Sequence, residues 1–458
     1  MQLNTLQLKN FRCFESFKIE FEPKLTVLVA SNGAGKTSIL DAIAVALGPY
    51  LGSFDQGVGK HFLASDIRLT RVRETQSNEM EYAPTGIALQ ASGVFTAVNM
   101  KLGLIDNEPT HHTWSRSLAG PTKSKTTIKE AKVLIDYGKH MQFLVKEGKD
   151  AVLPVLAYYG TGRLWQQKKL TIGKLPKTSR TLGYTDCLDP ASSYKSLVEW
   201  FRYWNINALN AKLKATQAGL PYIPGEFDAY IASVTNAVNL CLMPSGWKNL
   251  TYSFNQEELV AEHEHYGVLP VEQLSDGIRN MIGMVADIAF RATKLNPQLG
   301  SSASSSTPGI VLIDEVDMHL HPEWQQVVLL GLRAAFPCIQ FIVTTHSPQV
   351  LSTVSKAHIR VIVQTENGWQ AEKPDMSPLG RAAGDALAQI MLTHQHPPLE
   401  ELLSQVRTYE QMVKAGHEHS DNAKGLLQSL TVQGYEIPEA DLALWRFLAQ
   451  HGSGAANG

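Results

Sequence analysis

The chain has 458 residues, 44% hydrophobic and 18% charged, enough to bury a large core and to form two or three folded domains. A net charge of −2 excludes a global basic field for nucleic acid, so any basic patch must be local. Four scattered cysteines (Cys13, Cys187, Cys241, Cys338) form no CxxC pair, which excludes a disulfide framework or cysteine zinc site.

Residues 1–10 alternate polar and apolar rather than opening as a secretory leader, and no apolar run approaches the ~20 residues of a membrane span. The expectation is a soluble, cytoplasmic protein with no membrane contact. Leu3, Leu6 and Leu8 mark a first strand, and Phe17, Ile19 and Phe21 a second, half-buried one. The turn between them, Lys9-Asn10-Phe11-Arg12-Cys13-Phe14, either packs near a bound base or is a hairpin corner with Phe11 in the core.

Leu25, Val27, Leu28 and Val29 read as a buried strand, and Ile39, Leu40, Ile43, Ala46 and Leu47 as a helix expected to stop at Gly48-Pro49. Between them lies Ala30-Ser-Asn32-Gly33-Ala34-Gly35-Lys36-Thr37, followed by Ser38. Strand, glycine-rich turn and Gly-Lys-Thr at a helix start form a P-loop: backbone N–H groups surround phosphate, Lys36 reaches the β/γ-phosphates and Thr37 ligates Mg²⁺. Ala30 stands where the consensus has glycine.

From residue 50 to about 150 the pattern loosens into short strands (86–89, 94–100, 112–115), and Lys123 and Lys125 lead into a short helix. An inserted β-rich and helical lobe is expected over 51–269. Residues 152–159 return to a buried strand, followed by Gly160-Thr-Gly-Arg163, where the Arg faces phosphate or solvent. Gln166–Arg180 carries five basic and no acidic residues, a solvated loop or a nucleic-acid contact. Tyr194, Leu197, Val198, Phe201 and Trp204 share one helix face, and Ile231–Leu242 continues helical.

Ser275 is an N-cap candidate in Leu274-Ser-Asp276-Gly277-Ile-Arg279, ahead of a helix. Residues 300–309 read as a flexible Ser-rich loop. Gly309-Ile-Val-Leu-Ile-Asp314-Glu315 is a buried strand ending in two acids, and Ile339–Val343 is another, ending in Thr344-Thr345-His346-Ser347-Pro348. Residues 359–363 and 369–372 form a hairpin across Asn367-Gly368. The rest is helical, with Leu399, Leu402, Leu403, Val406, Tyr409 and Val413 in one apolar stripe and a tail at 452–458. Either the chain's own core or another subunit must cover that stripe. His263/His265, His319/His321, His394/His396 and His417/His419 are pairs two apart, without the further ligands of a zinc site.

Lys36-Thr37, Asp314 for Mg²⁺, Glu315 to polarise a water, His346 toward the γ-phosphate and Ser275-Asp276-Gly277 as an anion site are together what phosphoryl transfer requires. In this order they resemble the ABC-type ATPases of the OLD-like and SMC-like families, over about residues 1–50 and 270–365. The matching stretches are A-S-N-G-A-G-K-T, L-S-D-G-I-R, D-E-V-D-M-H-L-H-P and T-T-H-S-P. The D-E-x-D-x-H-L-H-P form is similar to the OLD-like branch; Asp276 departs from the L-S-G-G signature.

The resemblance implies an α/β P-loop ATPase head (1–50 and 270–375) with a helical appendage (376–458). It also implies ATP and Mg²⁺ as cofactors, and a homo-oligomer, at least a dimer sandwiching ATP. OLD-like enzymes carry a nuclease with a D-x-D pair after the ATPase, but no such pair follows His346, so no nuclease is expected here. An OLD-like ATPase without a nuclease is similar to the PtuA family of Septu anti-phage systems, found also beside retrons. That likeness implies an HNH nuclease partner, and opens contact with a reverse transcriptase and its nucleic acid. Two other readings stand beside it: an SMC-like ATPase sensing DNA ends, and a low-turnover nucleotide-gated scaffold.

Overall fold

The computed structural model describes residues 1–71, 80–96, 98–99, 104–105, 108–122, 124–162, 179–190, 195–366, 368–391 and 400–452. Lys123, Arg163, residues 166–178 of the basic loop, Tyr194, Asn367, His394, His396, Leu399 and tail residues 453–458 lie outside them. The chain divides into two units, Met1–Met391 and Leu392–Gly458.

The first unit is built on a six-stranded sheet in the order Val155–Tyr159, Gly309–Ile313, Ile339–Thr344, Leu25–Val29, Ile359–Thr365, Gly368–Glu372. Its first five strands run parallel, and the last pairs antiparallel as the expected hairpin. Every residue of the first four strands is buried, the consequence of predominantly apolar runs with both faces covered, interrupted by the buried polar Thr26 and Gln340. The parallel order sets the carboxyl ends of the Leu25–Val29, Gly309–Ile313 and Ile339–Thr344 strands side by side, and at those ends stand the P-loop, Asp314 and the Thr344–His346 turn.

An antiparallel sheet of four strands, Phe14–Glu20, Gln2–Phe11, Ile87–Phe95 and Thr110–Leu118, completes the head. Stretch 51–269 is therefore not a separate lobe, because it supplies strands to both sheets. Ile87, Leu89 and Ala91 alternate inward beside Leu6 and Leu8, so they share one core. A three-stranded sheet (Trp247–Ser253, Glu258–His263, Gly267–Pro270) occupies a stretch to which the sequence pattern assigned no element of its own.

The P-loop helix, Lys36–Leu51, passes through Gly48-Pro49 instead of stopping there. Pro49 has no N–H for the Val45 carbonyl, and the buried Arg116 guanidinium donates to that oxygen at 2.7 Å in its place. Residues 300–309 also differ from the expected flexible loop. A 3₁₀ turn (Pro297–Ser302) and a short helix (Ala303–Ser306) occupy most of the stretch, and Ser304 is buried, its N–H donating to Ser233 Oγ at 3.1 Å. Small side chains let that backbone approach the Glu226–Leu242 helix closely. Phe11 is fully buried and packs against Phe62, so the hairpin corner belongs to the core. Arg180 donates to the carbonyls of Leu295 and Ala151, a structural role.

The second unit folds helices Glu400–Lys414, Asp421–Val432 and Glu439–Gly452 around Val406, Tyr409, Val413, Ala423, Leu430 and Trp445. Val406, Tyr409 and Val413 of the apolar stripe are thus buried by the unit's own helices, with Leu402 packed against them.

Candidate active site

The P-loop takes its shape from two left-handed glycines, Gly33 (φ +79°) and Gly35 (φ +87°). A side chain at Gly35 would stand 2.5 Å from the Phe14 ring and 2.7 Å from Cys13 Sγ, so only glycine fits beneath that corner. Ala30 is not in the left-handed region, which explains why its methyl is accommodated where the consensus has glycine. Ala34 is buried beneath the loop, while Asn32 is exposed on it.

Lys36 opens the helix, and its ammonium donates to the carbonyls of Ala30 (2.9 Å) and Ser31 (3.2 Å). Burial lowers its pKa, opposed by the charges of Asp314, Glu315 and Asp317. Arg12 (φ +48°) fastens the hairpin corner to this helix through Asp41 (2.6 Å) and Ser38 Oγ (3.4 Å), and to the 3₁₀ turn Ala64–Asp66 through Asp66 (2.9 Å).

Asp314 is the hub. One carboxylate oxygen accepts from Thr37 Oγ1 at 2.7 Å and the other from Thr344 Oγ1 at 2.6 Å, with the group 2% exposed. The Thr344 hydroxyl oxygen also accepts the Glu315 N–H at 2.7 Å, so one side chain positions both acids. Glu315, two residues beyond the Gly309–Ile313 strand, has φ +49°, a conformation rare outside glycine. Thr345 donates to Asp317 at 2.6 Å. His346 follows, half-buried, its pKa lowered by burial and by Lys36 and raised by Asp317, Glu315 and Asp314. Sequence reasoning gives Thr344 and Thr345 no role of their own; two adjacent threonines at the end of a buried strand are the available signal, since buried hydroxyls must find partners.

Thr37 and Asp314 offer oxygen ligands only, 2.7 Å apart and beside the P-loop, which suits a hard cation such as Mg²⁺. Among the described residues no group of three or more His, Cys, Asp and Glu is assembled as a metal site. Among them too, no helix is long and apolar enough to cross a membrane.

The structure gathers Lys36, Thr37, Asp314, Glu315 and His346, but places the signature elsewhere. Ser275 is the N-cap of the Asp276–Leu295 helix without a side-chain cap bond, and Asp276 pairs with Arg279. That pairing offsets the charge by which Asp276 departs from the glycine pattern. A side chain at Gly277 would meet the His319 carbonyl at 2.4 Å, so the helix start lies directly on the turn that follows Asp314 and Glu315. Ser275, Asp276 and Gly277 line a groove of about 890 Å³ to which residues 30–38 contribute nothing. That groove therefore holds the signature and not the cradle.

Residues 5–219 match the family described as AAA domain, and residues 254–352 match "AAA domain, putative AbiEii toxin, Type IV TA system". The chain is similar to the Retron Vc95 probable ATPase of Vibrio cholerae serotype O1 biovar El Tor (27% identity, 93% of this chain and 86% of that protein). It is also similar to the Retron Ec83 probable ATPase of Escherichia coli (26%, covering 94% and 83%). A shorter stretch resembles the Septu protein PtuA of Bacillus mycoides (38%, 21% of this chain and 13% of that protein). Among solved structures, the SMC head domain from Thermotoga maritima aligns at 14% identity and TM-score 0.42, covering 82% of this chain and 100% of that one. The parallel sheet, the P-loop and the paired acids are those of a P-loop ATPase head, and the chain is also similar to the OLD nuclease of Thermus scotoductus (26% identity, 76% of this chain and 59% of that protein). Within that class the chain is related to PtuA and to the retron-associated ATPases.

Proposed function

We propose that this chain binds and hydrolyses ATP as a subunit of an anti-phage defence complex, and that ATP-dependent assembly controls a separate HNH-type nuclease. The observation that carries the ATPase reading is Asp314, held between Thr37 of the cradle and Thr344 beneath the second acid. Lys36 neutralises phosphate charge, and Thr37 and Asp314 would hold Mg²⁺, which spreads the charge developing on the phosphoryl oxygens. Asn32–Ser38 contribute the backbone cradle. Glu315, just beyond its strand, orients and deprotonates the attacking water, and a neutral His346 contacts the γ-phosphate. The signature of a second copy, Ser275-Asp276-Gly277, closes the site from the other side with its helix N-terminus. Such a sandwich accounts for a groove that holds the signature without the cradle. The names of the retron and Septu relatives support the defence role.

Lys36→Ala should weaken ATP binding about a hundredfold or more, since charge-assisted contacts to phosphate are lost. Glu315→Gln should keep binding, suppress hydrolysis and trap an ATP-bound pair. Equilibrium binding, phosphate release and light scattering test these points; parental turnover by Glu315→Gln removes Glu315 from the base role. Co-purification from the native operon tests the nuclease partner, and a preparation that never retains one sinks that part.

A further inference from the structure

The groove that holds the signature has a second wall, and its chemistry differs from that of an anion site. Cross-strand register pairs Trp247 with His263, and His263 with Gly267, which sets Tyr266 beside them at the turn. The three rings stand together: Trp247 to His263 5.0 Å, His263 to Tyr266 4.7 Å, and Trp247 to Tyr266 6.3 Å with planes 14° from parallel. Their arrangement is fixed from below. The His265 N–H donates to His263 Nδ1 at 3.0 Å, so Nε2 carries the proton and donates to the Ser245 carbonyl at 3.1 Å. Trp247 is 6% exposed, whereas Tyr266 is 69% exposed on top of this rigid base.

A rigid aromatic surface sharing one groove with a helix N-terminus matches a ligand with a flat ring at one end and phosphate at the other. We infer that Trp247, His263 and Tyr266 form a nucleoside-contacting wall, which engages the ATP carried by the P-loop of a second copy while the signature engages its phosphates. This rests on the sandwich proposed above and adds a stacking surface to it. A solvent-exposed phenol held on a buried indole loses little freedom on stacking, so the contact falls within the range of base–aromatic stacking. It makes ATP, rather than phosphate alone, the signal for pairing.

The test compares full-length Glu315→Gln protein with the same protein carrying Tyr266→Ala or Tyr266→Phe. Light scattering follows pairing as ATP is raised, and a fluorescent ATP analogue measures binding to dilute, unpaired subunit. The expected result is that Tyr266→Ala raises the ATP needed for half-maximal pairing at least about tenfold beyond any change in binding to the unpaired subunit, and that Tyr266→Phe, which keeps the ring, pairs like the parent. Equal pairing by all three proteins overturns the wall while leaving the sandwich standing. So does a Tyr266→Ala change that shifts pairing and single-subunit binding alike. Failure of the Glu315→Gln parent to pair on ATP overturns the sandwich, and the wall with it.

Discussion

Tyr159 donates its phenolic O–H to Asp287 at 2.7 Å, and so ties the edge strand of the central sheet to the middle of the signature helix. The backbone carbonyl of the same tyrosine accepts the Asp314 N–H at 2.8 Å. Arg291 completes the buried cluster, donating to Asp287 at 2.8 Å and to the carbonyls of Gly183 and Thr185. Two hydrogen bonds on one residue thus link the Asp276–Leu295 helix to Asp314.

Replacing Tyr159 with Phe removes the first of these bonds. Asp287 keeps Arg291, so the stability cost should be about 1 kcal/mol. If the link transmits closure, the hydrolysis rate should fall several-fold while ATP affinity of the unpaired subunit changes less than twofold. Phosphate release and equilibrium binding on the same preparation measure both, and an unaltered rate would make Tyr159 purely structural.

Thr344 presents a sharper case. Thr344→Val keeps the shape but strips the hydroxyl that serves Asp314 and the Glu315 N–H, leaving buried polar groups unsatisfied at about 1–3 kcal/mol of stability. Turnover should drop tenfold or more, and Thr344→Ser should restore most of it. A Thr344→Val protein that turns over at the parental rate would show that the hydroxyl does not matter.

The contrast between Thr344 and Asp314 shows what could be read in advance. Asp314, Glu315, Lys36 and Thr37 were legible because each sits at a junction between an apolar run and a turn, a purely local pattern. The meaning of Thr344 and Tyr159 depends on which strands become neighbours, and the order 155–159, 309–313, 339–344, 25–29 crosses the whole chain. Local periodicity carries no such information. The helix continuing through Pro49 has the same origin, since the donor that replaces its missing bond is Arg116, far along the sequence. Ser304 was misread because composition alone cannot show that Ser233 waits to receive it.

Lys294 supplies a pH-dependent prediction. It is buried, with its ammonium 3.4 Å from the Trp200 ring centroid, and burial pushes its pKa down to about 8 from 10.5. Below pH 8 both folded and unfolded chains hold the proton, so the desolvation cost is felt in full. From about 8 to 10.5 the unfolded chain binds more protons, and stability should rise with pH through that window. Lys294→Met should be the more stable protein at pH 7, by no more than about 3 kcal/mol, with the gap closing toward pH 10. Thermal unfolding of both proteins across that range checks it, and parallel curves would remove the lysine as the cause.

The last prediction concerns the helical unit Leu392–Gly458. On sequence grounds its stripe could have served to hold another subunit. Instead Val406, Tyr409 and Val413 are spent on the unit's own core with Ala423, Leu430 and Trp445. The P-loop, both acids, His346 and the signature all belong to Met1–Met391. A protein cut after Met391 should therefore remain folded and bind ATP with parental affinity. In the Glu315→Gln background it should still pair on ATP, because nothing the sandwich needs has been removed. A nuclease partner, if this unit holds it, should be lost at the same time. Light scattering with ATP, together with pull-down from the native operon, separates these outcomes. A truncated protein that is soluble and binds ATP yet never pairs would return assembly to the C-terminal helices. One that pairs and still retains its nuclease would place that partner on the ATPase head.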